Sequence, residues 1–234
     1  MRRLLRRRRD ERGAVAVEAA LITPILVLLV FGIIEFSFIL RDYGVVSSDV
    51  RVGARIASTG AGSGAGTCDT YTGAPPCTSA SAPALAQLAA DAIQREGSAM
   101  PANQINYILV YKANSKGYPC TSTTCTDTNK TMPTTCSGYA SCVKFVWQPS
   151  VNAGSGGFRY SSGAWDSSKI SACFPGNATN PLDRVGVYMN ATHKMITGLF
   201  GKSVTLQDHA VFDFEPLPTA SCNGSGTTAG GGHS

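Results

Sequence analysis

The sequence predicts an α+β fold. A long N-terminal transmembrane helix continues into an exported domain with a second helix and an antiparallel sheet of about four strands, rich in disulfides. Three observations predict it. Residues 13–37, GAVAVEAALITPILVLLVFGIIEFS, are mostly apolar and carry no charge apart from Glu18 and Glu35. All eight cysteines lie beyond that stretch. The rest of the chain alternates short β-type runs with Gly-, Ser-, Thr- and Pro-rich punctuation.

Residues 1–13 read as a basic cytoplasmic leader. Seven arginines and two acidic residues fall within residues 1–12, which accounts for the whole net charge of +5. A nucleic-acid-binding protein spreads its basic residues over a folded face. Here they form one run beside an apolar segment, the pattern that holds an N-terminus in the cytoplasm and sends the C-terminus out. Nucleic acid is therefore excluded as a partner and a membrane is predicted.

Residues 14–40 are the predicted transmembrane helix. Sixteen uncharged residues separate Glu18 from Glu35, about 24 Å at ~1.5 Å per residue. The hydrocarbon core of a bilayer is ~30 Å thick, so both carboxylates fall near its edges. Secretory signal peptides have apolar cores of only ~7–15 residues, which this run exceeds. Pro24 removes the hydrogen bond to the Ala20 carbonyl and predicts a kink. Ala16 and Ala20 form a small-xxx-small pair that lets another helix approach.

Residues 41–58 predict an amphipathic extension of the same helix. Tyr43, Val46, Val50, Ala54 and Ala57 repeat at three and four, with Asp42, Asp49, Arg51 and Arg55 mostly off that stripe. Residues 59–83 are a Gly/Ser/Pro-rich loop, and Pro83 suits the first turn of a helix over 84–97 that Gly97 ends.

The exported domain is predicted over residues 84–216. Strands are predicted at 106–111, 143–147, 183–190 and 204–214. Residues 112–142 form a Cys-rich polar insert too poor in apolar residues for its own core. Residues 154–163 read as a loop or short hairpin, and HKMITGLFG (193–201) as a helical or irregular connection. Alternation fails between Leu206 and Ala210, which predicts a bulge. Residues 217–234 read as a flexible tail tied down only at Cys222.

Cys68, Cys77, Cys120, Cys125, Cys136, Cys142, Cys173 and Cys222 are even in number and on the exported side, which predicts disulfides. Closure between neighbours gives Cys68–Cys77, Cys120–Cys125, Cys136–Cys142 and Cys173–Cys222, although sequence leaves connectivity open. No C-x-x-C spacing and no histidine pair at ligand spacing occurs, so no metal is expected.

Nor does the sequence carry a catalytic constellation, a cofactor motif or a small-molecule substrate signature. Asp208 and His209 are adjacent in a predicted strand, where neighbouring side chains point to opposite faces. Ser63 lacks the flanking glycines of a nucleophile elbow, having Ala61 and Ala65 instead.

The run RGAVAVEAALITPILVLLVFGIIEFS, followed by DVRVGARIAS, resembles the TadE-like family of minor pseudopilins from tight-adherence (Flp-type) pilus systems. The resemblance covers about residues 12–58. It implies a pilin-like exported domain and a subunit inserted in the bacterial cytoplasmic membrane, N-terminus inside. It further implies that a prepilin peptidase cuts between Gly13 and Ala14. Glu18 is then the fifth mature residue, whose carboxylate neutralises the terminal ammonium of a neighbouring subunit. The implied partners are other pilins or pseudopilins and pilus assembly platform proteins. Many pilins of this class have an aromatic residue after that glutamate, and this chain has Ala19. Glu18, Pro24 and Glu35 are the residues expected to govern helix assembly. The competing expectation is a single-pass, membrane-anchored extracytoplasmic binding module unrelated to pilus assembly.

Overall fold

A computed structural model describes residues 12–66, 82–95, 100–149, 156–173, 182–198 and 200–222. Helix α1 spans Arg12–Thr59 as one element and continues through Pro24. Its 48 residues extend about 72 Å at ~1.5 Å per residue. It ends where the glycine-rich stretch begins. Gly60 N–H donates to the Ala57 carbonyl at 3.1 Å and Ser63 N–H to the Gly60 carbonyl at 3.0 Å. Helix α2, Ala84–Arg95, starts directly after Pro83 and buries Leu85, Ala86, Ala89, Ala90, Ala92 and Ile93.

The sheet has five strands: β1 (Ile105–Lys112), β2 (Cys142–Gln148), β3 (Gly157–Ala164), β4 (Arg184–Lys194) and β5 (Ser203–Asp213). Their order is β3-β2-β1-β4-β5, and every neighbouring pair is antiparallel. The α+β class is as the sequence predicts, with one strand more than the four expected. The extra strand, β3, lies in the stretch read as a loop. It pairs with β2 from Cys142↔Ala164 to Gln148↔Gly157. The side chain of Gln94 on α2 clasps it, with Nε2 donating to the Gly156 carbonyl and Oε1 accepting from Phe158 N–H.

Both helices lie on one face of the sheet. Val46, Val50, Ala54 and Ala57 of α1 and the apolar side of α2 close over Ile108, Val110, Val143, Phe145, Val187, Met189 and Leu206. The helices approach closely because of two glycines. A Cβ at Gly53 would stand 2.8 Å from Ile93 Cδ1, and one at Gly60 2.8 Å from Leu85 Cβ.

Alternate residues of β1, Leu109 and Tyr111, face the other side and form a second cluster with Cys136, Cys142 and Tyr188. The Cys-rich insert covers it, and polar groups organise that insert. Buried Asn114 donates to Asp127 and to the Asn129 carbonyl, and its own carbonyl oxygen accepts from Lys116 and Tyr118 N–H. Every hydrogen-bonding site of that amide is used, as a buried polar group requires. Disulfides join Cys120–Cys125, Cys136–Cys142 and Cys173–Cys222. Cys68 and Cys77 lie outside the described residues.

Four local readings need correction. Strand β5 pairs with β4 in unbroken register, so no bulge falls between Leu206 and Ala210. The break in alternation is Asp208, a polar side chain on the same strand face as its apolar neighbours. Register shifts occur instead at Ile105/Tyr107 and Lys144/Phe145. His193 and Lys194 belong to β4, and residues 195–198 and 200–202 belong to a turn closed by Met195 N–H to the Lys202 carbonyl at 3.0 Å. After Pro216 the chain is held through residue 222. Leu217 packs on the main core and its N–H donates to the Ala172 carbonyl at 2.7 Å. Finally, Asp42 and Asp49 are not off the buried stripe of α1: they are only 8% and 3% exposed.

Candidate functional site

The residues singled out in the sequence are distributed along α1, and the helix divides into two halves. From Gly13 to Ile34 its apolar side chains are largely uncovered by the described residues: Leu21 is 69% exposed and Ile33 68%. This is the one helix among the described residues long and apolar enough to cross a membrane. Gly13 and Ala14 sit in its first turn, with open space where a Gly13 side chain would project. Glu18 is exposed, with no hydrogen bond or ion pair among the described residues.

Beyond Glu35 the environment changes. Glu35, Asp42 and Asp49 are spaced seven residues apart, two helical turns each, so they share one face. That face meets the β4–β5 edge of the sheet. Glu35 is 1% exposed. Its Oε1 accepts from Ile196 N–H at 2.6 Å, and Oε2 accepts from Thr197 N–H at 3.4 Å and Thr197 Oγ1 at 3.5 Å. Seven residues on, Asp42 Oδ2 lies 2.7 Å from His193 Nδ1. Both groups are buried, so the pair ties α1 to the end of β4. The His193 Nε2 atom has no hydrogen-bond partner among the described residues.

Glu18 and Glu35 thus differ in kind. They are seventeen residues apart, which puts them about 100° apart around the helix axis. Glu35 faces the domain and is satisfied by it, whereas Glu18 meets no polar partner among the described residues. Sequence reasoning placed both at membrane edges but missed the Asp42–His193 contact. The seven-residue acidic repeat was the available signal. A stripe defined by apolar residues alone passed over it.

A second feature lies on the far face of the sheet. Tyr107, Tyr118, Tyr188, Lys130, Gln207 and His209 line a groove of about 520 Å³. Its walls are braced internally: Tyr188 Oη donates to Gln207 Oε1 at 2.8 Å, and the Tyr118 and His209 rings stand 5.4 Å apart. Burial, with the neighbouring Tyr188 phenol adding to it, pushes the Tyr107 hydroxyl up to about 12. Burial, and then Tyr118 and Tyr188, push Tyr111 higher still. His209 does not engage the Asp208 carboxylate with its ring; Asp208 Oδ1 accepts from the His209 backbone N–H at 2.8 Å. Among the described residues no three His, Cys, Asp or Glu side chains converge as a cation site.

Residues 13–55 match the family model described as TadE-like protein. That match covers the bare half of α1, Glu18, Glu35, Asp42 and Asp49, and ends before the sheet begins. No curated protein and no solved structure matches the chain.

Proposed function

We propose that this chain, TadE-like over residues 13–55, is a minor pseudopilin of a tight-adherence pilus system. It is inserted in the bacterial cytoplasmic membrane through α1, with the leader inside and the α+β domain outside. A prepilin peptidase hydrolyses the Gly13–Ala14 peptide bond, where Gly13 has open space in place of a side chain. Gly13 leaves as the carboxylate end of the leader and Ala14 becomes the new amino terminus. Glu18 is then the fifth residue of the mature chain. Its carboxylate and the terminal ammonium of an adjacent pilin or pseudopilin pair as the helices bundle at the assembly platform. Burying either charge alone in low dielectric costs several kcal/mol, and pairing relieves both, so the contact sets the axial register of one subunit against the next.

The observation that carries this reading is Glu18 itself: an acid near the start of a largely exposed apolar helix, with no partner among the described residues, inside the segment that matches the family. N-terminal sequencing of the membrane-purified protein tests it. The expected mature chain starts at Ala14 only when the peptidase is present. A chain that keeps Met1 and Arg2 in piliated cells contradicts it.

The groove beneath the Cys-rich insert favours a second reading, a tethered module that binds a ligand outside the cell. On that reading Tyr118→Ala and Lys130→Ala abolish surface attachment while pilus assembly is untouched.

A further inference from the structure

The β4–β5 turn lies against the membrane-spanning part of α1, not against the exported part. A Cβ at Gly32 would stand 3.4 Å from the Phe200 ring, and Glu35 binds the turn's backbone at Ile196 and Thr197. Depth can be counted from either end of the apolar run. Gly32 is nineteen residues beyond Gly13, about 29 Å along the helix. It is nine residues before Arg41, the next charged residue after Glu35, about 14 Å. With a hydrocarbon core of ~30 Å, either count puts Phe200 at or inside the outer hydrocarbon boundary.

The turn is built for that position. Ile196 and Phe200 are 65% and 57% exposed, Phe200 resting one edge of its ring on Gly32 and both leaving most of their surface uncovered by the described residues. Backbone in contact with lipid must have its polar groups satisfied internally. Here Met195 N–H donates to Lys202, Gly201 N–H to Gly198, and Ile196 and Thr197 N–H to Glu35. The one acid at this depth is sealed beneath the turn. At its mouth, Lys194 and Lys202 are both exposed, on stems long enough to bring their ammonium groups to lipid phosphates. Phe36, Phe38 and Tyr43 of α1 are exposed at the same boundary, as aromatic side chains at membrane interfaces are.

We infer that the β4–β5 turn dips into the outer leaflet, with Ile196 and Phe200 among the acyl chains and Lys194 and Lys202 at the headgroups. The exported domain is thereby held against the bilayer by a second contact besides α1. This fixes its tilt and rotation instead of leaving it to swivel on a helix. The inference rests on α1 spanning a membrane, as proposed above.

The test uses the full chain with Phe200→Trp, reconstituted alone into phosphatidylcholine vesicles brominated near the headgroup end of the acyl chain. The unsubstituted chain supplies the background from Trp147 and Trp165. Buried Trp165 reports that the domain is folded. The expected result is that the chain floats with the vesicles and the added emission is blue-shifted and mostly lost to bromine quenching. A chain that floats but whose added emission is water-like and unquenched overturns the lipid contact and leaves the spanning helix standing. Emission that shifts only when a second pilin is added overturns it too, assigning the turn to a protein neighbour. A folded chain that does not float overturns both the inference and the membrane reading beneath it.

Discussion

Glu18 and Glu35 belong to one helix and both flank its most apolar part, yet they are solved differently. Glu35 is closed off by the Ile196 and Thr197 N–H groups, so its cost of burial is met within the fold. Glu18 has no such partner among the described residues. The upper half of α1 behaves as a core helix, with Val46, Val50, Ala54 and Ala57 fully buried. The lower half is a surface awaiting lipid or another helix. The same residue type is therefore satisfied by the fold at one position and left without a partner among the described residues at the other. What decides is whether the chain folds back to meet it.

This contrast can be broken in several ways. The largest expected effect is at the start of the bare half. Gly13→Leu is predicted to block the cut, leave the full-length precursor in the membrane and abolish its incorporation into the pilus system, read by intact mass and by fractionation. In the covered half, Glu35→Ala strips the acceptor from the turn. It should lower the stability of the exported domain by about 1.5–3 kcal/mol, the usual worth of hydrogen bonds to a charged group, measured by denaturant unfolding in detergent.

Two glycines of α1 sharpen the contrast by sign. Gly53→Val drives a side chain into Ile93, 2.8 Å from where its Cβ would sit, and should cost about 1–3 kcal/mol by overpacking. Gly44→Ala meets open space, and should instead stabilise by up to about 1 kcal/mol through helix propensity. Equal effects at both positions would mean that the two sides of α1 are not distinguished by packing.

The smallest effect is on the far face of the sheet. The Tyr107 pKa is raised from 10.0 to about 12 by burial and by Tyr188, so the folded state holds that proton more tightly than the unfolded chain. Its contribution to stability is fully present below pH 10.0 and is lost as pH rises toward about 12. Phenolate absorbance should show Tyr107 still protonated midway through that window. Tyr188→Phe should bring its titration down.

The helix was readable because a run this long with no charge between Glu18 and Glu35 has the length and composition of a membrane-spanning segment. The β1 and β4 strands were readable from NYILVY and DRVGVYMN, whose β-branched and aromatic content suits a sheet. Strand β3, GFRYSSGA, was not. It has two glycines and two serines, and it is a strand because β2 and Gln94 hold it there. The Asp42–His193 contact joins residues 151 apart in sequence; the seven-residue acidic repeat marks the Asp42 side, but nothing around His193 names its partner. The Cys-rich insert hid its order in the same way. Asn114, Asp127 and Asn129 look like solvent-facing polar residues until the chain brings them together.

The most direct test of the account is Glu18→Gln, which keeps the shape of the side chain and removes its charge. Two quantities should be measured on one preparation: incorporation of the chain into the pilus assembly, and thermal unfolding of its exported domain. The account predicts that incorporation is lost while unfolding and membrane insertion stay as in the unsubstituted protein. Normal incorporation, or a loss that comes with a destabilised domain, would contradict it.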